Sequence, residues 1–578
     1  MSTTHTVENQ TPPLADVSLY AIDKPLIEGL AREGGGWGKA DVAALGVRVG
    51  SSAYQEVIRK ANATLPVLRT HDRFGNRIDE VEFADAWHEL MTVAKGAGIH
   101  ALPWAEPKPG AHVVRAALHY VYGQGEQGPM CPIAMTFAAV PALRHQKDIA
   151  DEWVPRLVDT HYDRRFIPAK KKTSALMGMA MTEKQGGSDV RANTTKATPL
   201  GGGGPGGEYE LTGHKWFCSA PMCDAFLTLA HTEKGLSCFF VPRFLPDGTK
   251  NRFFIQRLKD KLGNKSNASS EIEYDRTWAR MVGAEGRGVA TIIDMVHHTR
   301  LECVIGSAAH MRAAFVQALH HVQHRRAFQR RLVEQPLMRA LVADLAVECE
   351  AAAALVLRVA RAFDEAQAGK NGAFARIATP VAKYWICKRV SQTVLESLEC
   401  LGGNGYVEEG PAARLYRDAP LNGIWEGSGN VICLDVLRAL EREPESRDAL
   451  MAELASAKGG DKRYDALVSS LDADLGKRNG AGIAGGEMAA RHLVERMAVA
   501  LQASLLLRHA PDAVADVFGA TRLAHAGGLA MGALPAGAPV DPVIERAAFD
   551  ADAVRTRGKG DEIRVLPIDN GAAARARH

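Results

Sequence analysis

The spacing of apolar residues divides the chain into four regions. From residue 1 to about 172, apolar residues recur every three or four positions, as in VEFADAWHELMTVAKGA, which is typical of amphipathic helices. From 173 to 285, alternating stretches such as EYELTGHKWFCSA and LSCFFVPRF are separated by Gly, Pro and Asp and predict strands. Ala- and Leu-rich helical segments fill 286–440, and 441–578 continues the helical pattern with Gly, Ala and Pro breaks. The pattern predicts a multidomain α+β protein in the order α, β, α and a further α domain.

Length, composition and charge agree with a globular protein of several domains. The 578 residues exceed what one hydrophobic core usually serves, and 46% of them are hydrophobic. A net charge of +3 is too small to indicate a polyanionic partner. No apolar run approaches the ~20 residues that span a bilayer, and the N-terminus lacks the basic start and apolar stretch of a secretory signal. We therefore expect a cytoplasmic protein without a membrane segment.

Cysteine and histidine spacing indicates neither a disulfide framework nor a metal site. None of the nine cysteines forms a CxxC pair, so we expect reduced, buried thiols. His320 and His324 are four residues apart with His321 beside them, but no HExxH motif accompanies them. They belong to a segment rich in arginine, which favours a solvated or subunit-facing helical surface. We predict no metal site.

Two glycine-rich stretches resemble nucleotide-binding motifs but fail the test of context. The stretch GGGGPGG (201–207) satisfies GxGxxG, yet a proline interrupts it and a strand-like segment follows where a helix is required. We predict a hairpin loop there. The stretch GGGWGKA (34–40) lacks both the first glycine and the Ser or Thr after lysine that a P-loop requires.

The stretch MAMTEKQGGSDVRANTT (179–195) has the composition of a ligand-binding loop. Backbone amides at Gly186 and Gly187 are suited to phosphate oxygens, and Thr182 and Ser188 add hydroxyl donors. Trp216, a little further along, offers a flat apolar face. Donors and a stacking surface together suit a flavin. A solvated loop and a core tryptophan remain the alternative at this point.

Six motifs in one order decide between these alternatives. The chain contains MTEKQGGSD, KWF, RLKDKLGNKSN, HRRAFQRRLVEQPL, LECLGGNGYVEE and IWEGSGNVICLDVL. This set resembles the acyl-CoA dehydrogenase flavoprotein family over about 175–440, and its wording is closest to the branch of the adaptive response to DNA alkylation. The resemblance implies an N-terminal all-α domain (1–172), a central β-barrel-like domain (173–285), an α-helical bundle (286–440) and an extra C-terminal helical domain (441–578).

The resemblance implies bound FAD, held first by the β domain. The family loop that meets the flavin ring edge and pyrophosphate is matched by Met181, Thr182, Gly187 and Ser188. The segment that lies against the isoalloxazine is matched by Trp216 and Phe217.

Two further motifs imply contacts across a subunit boundary. Arg325 and Phe328 match the family's R-x-x-F-G motif, which reaches the FAD of a neighbouring subunit, although Gln329 replaces its glycine. Gly402 and Gly403 match the glycines that approach the adenosine end of a neighbour's cofactor. The resemblance therefore implies a homotetramer, arranged as a dimer of dimers.

The motif IWEGSGN implies the chemistry. Glu426 matches the family's general base, which removes a proton α to a thioester carbonyl and needs a raised pKa in an apolar pocket. Ser428 and Asn430 match the polar residues that meet the cofactor after it. Asn430 also precedes an apolar helical run, so a helix N-cap is its other interpretation. Glu426 also has a second interpretation, as an anion that the dipole of the following helix stabilises. The implied reaction is α,β-dehydrogenation of a short, isovaleryl-like acyl-CoA.

The branch also implies that the C-terminal domain binds duplex DNA. The alternative function is therefore a DNA-binding protein that protects against alkylating agents and has vestigial or no dehydrogenase turnover. Residues 441–578 contain 18 Lys and Arg against 20 Asp and Glu, a net charge of −2, which is contrary to a DNA-binding surface. The small basic clusters that remain are Lys477–Arg478, Arg491 with Arg496, Arg555 with Arg557 and Lys559, and Arg575 with Arg577. A tetramer that aligns them and ordinary surface charge are both open interpretations.

Overall fold

The computed structural model describes residues 4–524 and 528–556, apart from 477, 480, 481, 484 and 485, and the side chains of 477–485 are not described. Within these ranges none of the helices has the length and apolar character needed to cross a bilayer. Buried apolar side chains from all four regions form one large cluster, so the domains share a continuous core.

The N-terminal region consists mainly of helices. They are α1 (Lys24–Arg32), α2 (Lys39–Gly50), α3 (Ser52–Ala63), α4 (Asp85–Gly96), α5 (Leu102–Ala105), α6 (Ala111–Gly123), α7 (Met130–Leu143) and α8 (Lys147–Leu157). Contrary to the all-helical prediction, an antiparallel hairpin of β1 (Val67–His71) and β2 (Arg77–Glu82) lies between α3 and α4. The two strands alternate between exposed and less exposed residues, which is the period of a half-covered strand.

The central region is the predicted barrel-like domain. Its strands are β3 (Met177–Ala180), β4 (Lys196–Leu200), β5 (Glu208–Ser219), β6 (Ala225–Thr232), β7 (Gly235–Pro242), β8 (Phe253–Leu258) and β9 (Ser269–Val282). Pairing runs β6–β4–β5–β9–β7 and returns to β6, so five strands form a closed ring, while β3 extends β6 and β8 extends β9. Closure leaves the ring without a free edge.

The glycine-rich stretch at 201–207 is a hairpin loop, as predicted. It joins β4 to β5, which pair antiparallel from Lys196↔Thr212 to Leu200↔Glu208. Four of its glycines have positive φ angles between 64° and 85°, a conformation that other residues rarely adopt. The stretch therefore follows the geometry of a turn, and no helix begins at it.

Long helices form the third region. They are α9 (Gly288–His324), α10 (Pro336–Gln367), α11 (Gly372–Cys400), α12 (Ala412–Asp418) and α13 (Gly429–Arg442). A two-stranded hairpin, β10 (Arg326–Ala327) with β11 (Arg330–Arg331), follows α9. The 37-residue α9 is buried along most of its length and packs on α7, α10 and α11.

The C-terminal region is helical, as predicted, and packs on the bundle. It contains α14 (Pro444–Ala455), α15 (Lys462–Gly476), α16 (Gly486–His509), α17 (Asp512–Phe518) and α18 (Val540–Ala547), with a short hairpin of β12 (Arg478–Asn479) and β13 (Gly482–Ile483). Helix α16 packs on α10, α11 and α13. Buried ion pairs join this region to α10, with Arg522 2.8 Å from Glu348 and Arg546 2.9 Å from Glu350.

All nine cysteines are free and buried, which confirms the prediction of reduced core thiols. The interpretation of the histidines is wrong in part. His320 and His321 are buried because the N-terminal segment covers them: a nitrogen of His320 lies 2.9 Å from the carbonyl oxygen of Pro12, and one of His321 lies 3.0 Å from the Thr11 hydroxyl. The arginines after His324 lie in the β10–β11 hairpin and not on the helix. Within the described residues, no group of three or more acidic, histidine or cysteine side chains is placed to hold a metal ion.

Candidate active site

Glu426 lies in the turn that leads into α13, and its backbone is unusual. Its φ is +59°, in the left-handed region, and the following Gly427 has φ +101°. A non-glycine residue in this region costs free energy, and such strain is typical of functional sites. The conformation turns the carboxylate toward α9, where the Thr299 hydroxyl donates a 2.6 Å hydrogen bond to Oε2.

Two charged side chains hold this turn from neighbouring helices. Lys383 of α11 donates to the carbonyl oxygens of Trp425, at 3.0 Å, and Gly427. Arg300 of α9 donates to the Glu426 carbonyl oxygen at 3.2 Å. Arg300 also pairs with Asp435 of α13 at 2.6 Å, which closes a network between α9, the turn and α13.

The environment of Glu426 raises the pKa of its carboxyl. Burial is the largest cause, while the Thr299 hydrogen bond and the nearby Lys383 and Arg300 charges oppose it. A carboxylate with a raised pKa is a stronger base than an exposed one, so this group is suited to take a proton from carbon.

A cavity of about 510 Å³ lies beside this network, between the N-terminal region and the bundle. Its wall includes Trp104, His112, His297, His298, Arg300 and Phe363. Burial lowers the pKa of His112 to about 3 and that of His298 to about 4, so both imidazoles are neutral near pH 7. The wall also contains charged side chains, so it is partly aromatic and partly charged: Arg144, Asp294, Arg376 and Asp435 line it, and Arg300 connects it to Glu426.

A buried ion pair anchors the predicted flavin loop to strand β5. Lys215 lies 2.8 Å from Glu183, and both side chains are fully buried. Glu183 also accepts hydrogen bonds from the Thr194 amide at 2.6 Å and the Thr195 hydroxyl at 2.5 Å. Burial alone would raise the pKa of Glu183, but Lys215 and these donors hold it at about 2. The loop is therefore anchored, and its residues Gly187 and Ser188 are exposed.

The structure brings the flavin loop and the tryptophan segment together. The Trp216 amide donates to the Thr182 carbonyl oxygen at 2.8 Å, and Asn193 donates to the Met181 carbonyl oxygen at 2.9 Å. The Lys259 ammonium lies 3.2 Å from the centre of the Trp216 ring and 4.7 Å from that of Phe217. The two rings therefore share a cationic neighbour, an arrangement in which each ring attracts the ammonium.

Arg325 and Phe328 lie far from Glu426 within one subunit. Thr299 and Arg325 are separated by 26 positions of a continuous helix and its C-cap, which corresponds to about 39 Å. Phe328 is 92% exposed at the tip of the β10–β11 hairpin, where it and Gln329 have positive φ. The N-terminal segment fixes the base of this hairpin, because Arg325 donates to the Asn9 carbonyl oxygen at 2.5 Å.

Gly402 and Gly403 open a short helical turn after α11. Both are exposed, and no protein atom lies within 4 Å of the position that a Cβ would occupy on either of them. Gly402 has a φ of +61°. A larger group is thus able to approach the backbone closely here.

One of the two interpretations of Asn430 needs a correction. Ser428 is the N-cap of α13, although its side chain makes no capping hydrogen bond, and Asn430 lies inside the helix. The N-cap interpretation of Asn430 is therefore wrong. Its amide oxygen instead accepts a 2.8 Å hydrogen bond from Arg491 of the C-terminal region.

Most basic clusters of the C-terminal region are neutralised or lie outside the described residues. Arg496 pairs with Asp474 at 2.7 Å, and Arg555 pairs with Asp552 at 3.2 Å. The side chains of Lys477 and Arg478 lie outside the described residues, as do Arg557, Lys559, Arg575 and Arg577.

Sequence reasoning missed the residues that hold the site. Thr299, Lys383 and Arg300 contact the Glu426 turn from helices more than 40 positions away in the chain. Glu183 and Lys215 belong to motifs that were recognised, but spacing alone did not show that they pair. Their signal was chemical, since a lysine and a glutamate inside strand-forming stretches need partners when they are buried.

Comparison with known proteins shows the family of the chain. Three domain families match in order: the adaptive response protein AidB N-terminal domain over residues 9–164, the acyl-CoA dehydrogenase middle domain over 178–277 and the acyl-CoA dehydrogenase C-terminal domain over 286–441. The chain belongs to the acyl-CoA dehydrogenase family, whose members are oxidoreductases. Within that family it belongs to the AidB branch.

Individual relatives cover most of the chain. The putative acyl-CoA dehydrogenase AidB of Escherichia coli K12 is 45% identical over 476 residues, 82% of this chain and 87% of the relative. Acyl-CoA dehydrogenase family member 11 of Caenorhabditis elegans is 30% identical over 509 residues, 82% of this chain and 80% of the relative. The crystal structure of C. elegans ACDH-11 in complex with C11-CoA has a TM-score of 0.81 at 26% identity and covers 96% of this chain and 95% of that one.

Proposed function

We propose that the protein is an FAD-dependent dehydrogenase of a short, isovaleryl-like acyl-CoA. The observation that carries this proposal is the Glu426 carboxyl, which has a raised pKa, a strained backbone and a hydroxyl donor on one oxygen. The aromatic cavity next to the Arg300 side chain supports a substrate position beside it. ACDH-11, the structural relative, is in complex with C11-CoA, which supports a thioester of coenzyme A as the substrate class.

The residues present fit FAD. The anchored loop at 181–188 leaves Gly187 and Ser188 exposed, beside a tryptophan and a phenylalanine, which suits the ring edge and pyrophosphate of a flavin. At the other segment, a Cβ on Gly402 or Gly403 would meet no neighbouring side chain or distant backbone within 4 Å, so a ligand is able to approach the backbone there. We propose that Met181, Thr182, Gly187, Ser188, Trp216, Phe217, Ser428 and Asn430 hold FAD of their own subunit, while Arg325, Phe328, Gly402 and Gly403 contact a neighbour's.

The reaction begins with proton abstraction by Glu426. Because the Thr299 hydroxyl occupies Oε2, Oε1 is the oxygen left to take the proton from Cα of the thioester. Arg300 and Lys383 fix the turn through its carbonyl oxygens, so the carboxylate keeps its direction while it changes charge. Bound FAD supplies an acceptor for the hydride that leaves Cβ, so the products are the enoyl thioester and reduced cofactor. Neutral histidines in the cavity wall leave the carboxylate as the titrating base.

Anaerobic titration with isovaleryl-CoA tests the proposed reaction. The yellow FAD-loaded protein is expected to bleach, because hydride transfer removes the oxidised flavin absorbance. Butyryl-CoA is the second short substrate, and free coenzyme A, which has no acyl group to oxidise, is the control. A protein that holds FAD but is bleached by neither thioester contradicts the proposed activity.

The assembly we propose is a homotetramer, a dimer of dimers. It is supported by the ~39 Å that separates Arg325 from Thr299 along α9, since one subunit cannot bring both to a single flavin. Size-exclusion chromatography with light scattering is expected to show four subunits with four FAD. A monomer that retains one FAD per chain contradicts this arrangement.

We also propose that the protein acts in the adaptive response to DNA alkylation, as the name of the AidB domain family suggests. Because Arg496 and Arg555 are paired with acids, we expect the role to be exerted through the flavin chemistry and not through tight duplex binding. An electrophoretic titration with duplex DNA at ~50 and ~200 mM salt is expected to show no retention at the higher salt. Retention there, with a steep salt dependence, would favour a DNA-binding protector with vestigial turnover.

A further inference from the structure

A side chain of the C-terminal region forms a hydrogen bond with a residue of the candidate flavin site. Arg491, on the first turns of α16, donates from Nε to the side-chain oxygen of Asn430 at 2.8 Å. Asn430 lies on the first turn of α13, four residues after Glu426, and its side chain is exposed. The contact therefore joins a helix of the extra domain to the segment that carries the proposed base.

The chemistry of arginine fixes the orientation of this amide. A guanidinium has only donors, so the amide atom that faces it must be the oxygen. The Asn430 side-chain nitrogen then points elsewhere, and among the described residues no acceptor receives a hydrogen bond from it. Its two N–H groups are available to a ligand that presents oxygen atoms.

Arg491 also brings a positive charge that is not cancelled locally. Within the described part of the chain no carboxylate lies within salt-bridge distance of it, whereas Arg496, five residues on, pairs with Asp474 at 2.7 Å. Lys388 lies beside the same helix start, because a Cβ built on Gly429 would be 2.9 Å from its Cε. Arg491 and Lys388 therefore place two cationic side chains at the start of α13.

We propose that Arg491 is a positioning residue of the flavin site, which orients Asn430 so that its amide donates to FAD. The inference rests on the proposed function, because it takes FAD as the ligand. It makes the C-terminal domain a part of the cofactor site. Removal of the guanidinium leaves the Asn430 amide free to rotate, so the cofactor loses an oriented donor.

The test measures FAD affinity of the full-length protein by fluorescence titration of apoprotein. Arg491→Met is expected to weaken FAD binding about tenfold, the effect of one charge-assisted hydrogen bond. Asn430→Ala is expected to weaken it to a similar degree, and the double variant no further, since Arg491 acts through Asn430. Arg491→Lys keeps a cationic donor and is expected to recover most of the affinity. The matched control is Arg496→Met on the same helix, expected to bind FAD as the wild type does.

Three results would overturn the inference. One is an Arg491→Met protein with wild-type FAD affinity. A second is a double variant whose loss equals the product of the two single losses, which would show that the residues act separately. An equal loss in Arg496→Met would count against it as well, because it would indicate a general loosening of α16. If the wild-type apoprotein takes up no FAD at all, the proposed function itself fails, and this outcome is distinct from the other three.

Discussion

Glu426→Gln is expected to keep its yellow FAD but to lose bleaching by isovaleryl-CoA, with a rate at least ~10²-fold below that of the wild type. Gln is close to Glu in shape and still accepts the Thr299 hydrogen bond, but its amide cannot take a proton from Cα. General base catalysis contributes about 10² to 10⁴ in rate, so the loss follows from the base alone. Stopped-flow absorbance near the flavin maximum measures it.

The matched control is Glu409→Gln, an exposed glutamate of the same bundle, which is expected to bleach at the wild-type rate. Burial raises the pKa of Glu426, so the wild-type rate is expected to rise with pH through a range above that of an ordinary carboxyl. A Glu426→Gln protein that bleaches normally would assign the base to another residue. A rate that stays independent of pH over the whole range in which the protein is folded would exclude a titrating carboxylate in this step.

Lys215→Met is expected to destabilise the β domain by about 3–5 kcal/mol, because removal of one partner leaves the Glu183 charge buried and unpaired. FAD affinity is expected to fall as well, since Glu183 holds the Thr194 and Thr195 end of the flavin loop. Urea unfolding followed by tryptophan fluorescence measures the loss. The control is Arg59→Met, which removes an exposed ion pair and is expected to change nothing measurable.

Glu183→Gln with Lys215→Met removes both charges and is expected to recover a large part of the stability lost in Lys215→Met. The pKa of Glu183 is lowered to about 2, so its contribution is complete above the ordinary carboxyl range and is lost as pH falls toward 2. The acid unfolding of the wild type is therefore expected to include a transition in this window that the double variant lacks. A double variant less stable than Lys215→Met would show that the pair is not the reason for the loss.

The sequence predicted most of the fold, and the candidate site was proposed from motifs that are short and contiguous. The loop at 181–188, the tryptophan segment and the IWEGSGN turn each bring several functional atoms within a few residues. The barrel-like domain was predictable for a similar reason, since its strands alternate and its turns contain glycine and proline. The hairpin of β1 and β2 was not predicted, because it interrupts a region whose apolar spacing is otherwise helical.

Contacts between distant segments were beyond sequence reasoning. Thr299 and Glu426 are 127 positions apart, and His320 is covered by a segment 308 positions earlier in the chain. Periodicity tells which face of a helix is apolar, but it does not tell which other segment lies on that face. The Asn430 N-cap interpretation failed on a finer scale, because two residues in one turn were both capable of starting α13.

Helix α9 contacts the proposed base, Glu426, and leads at its C-terminal end to the residue of the proposed subunit contact, Arg325. Thr299 and Arg300 hold Glu426 near the first third of α9, and Arg325 follows its last residue. A continuous helix resists bending, so it acts as a stiff lever: a tilt of a few degrees at the carboxylate end displaces the other end by ångströms. In the proposed assembly, a shift of α9 at Thr299 is therefore expected to move Arg325, the residue that we propose contacts the FAD of a neighbouring subunit.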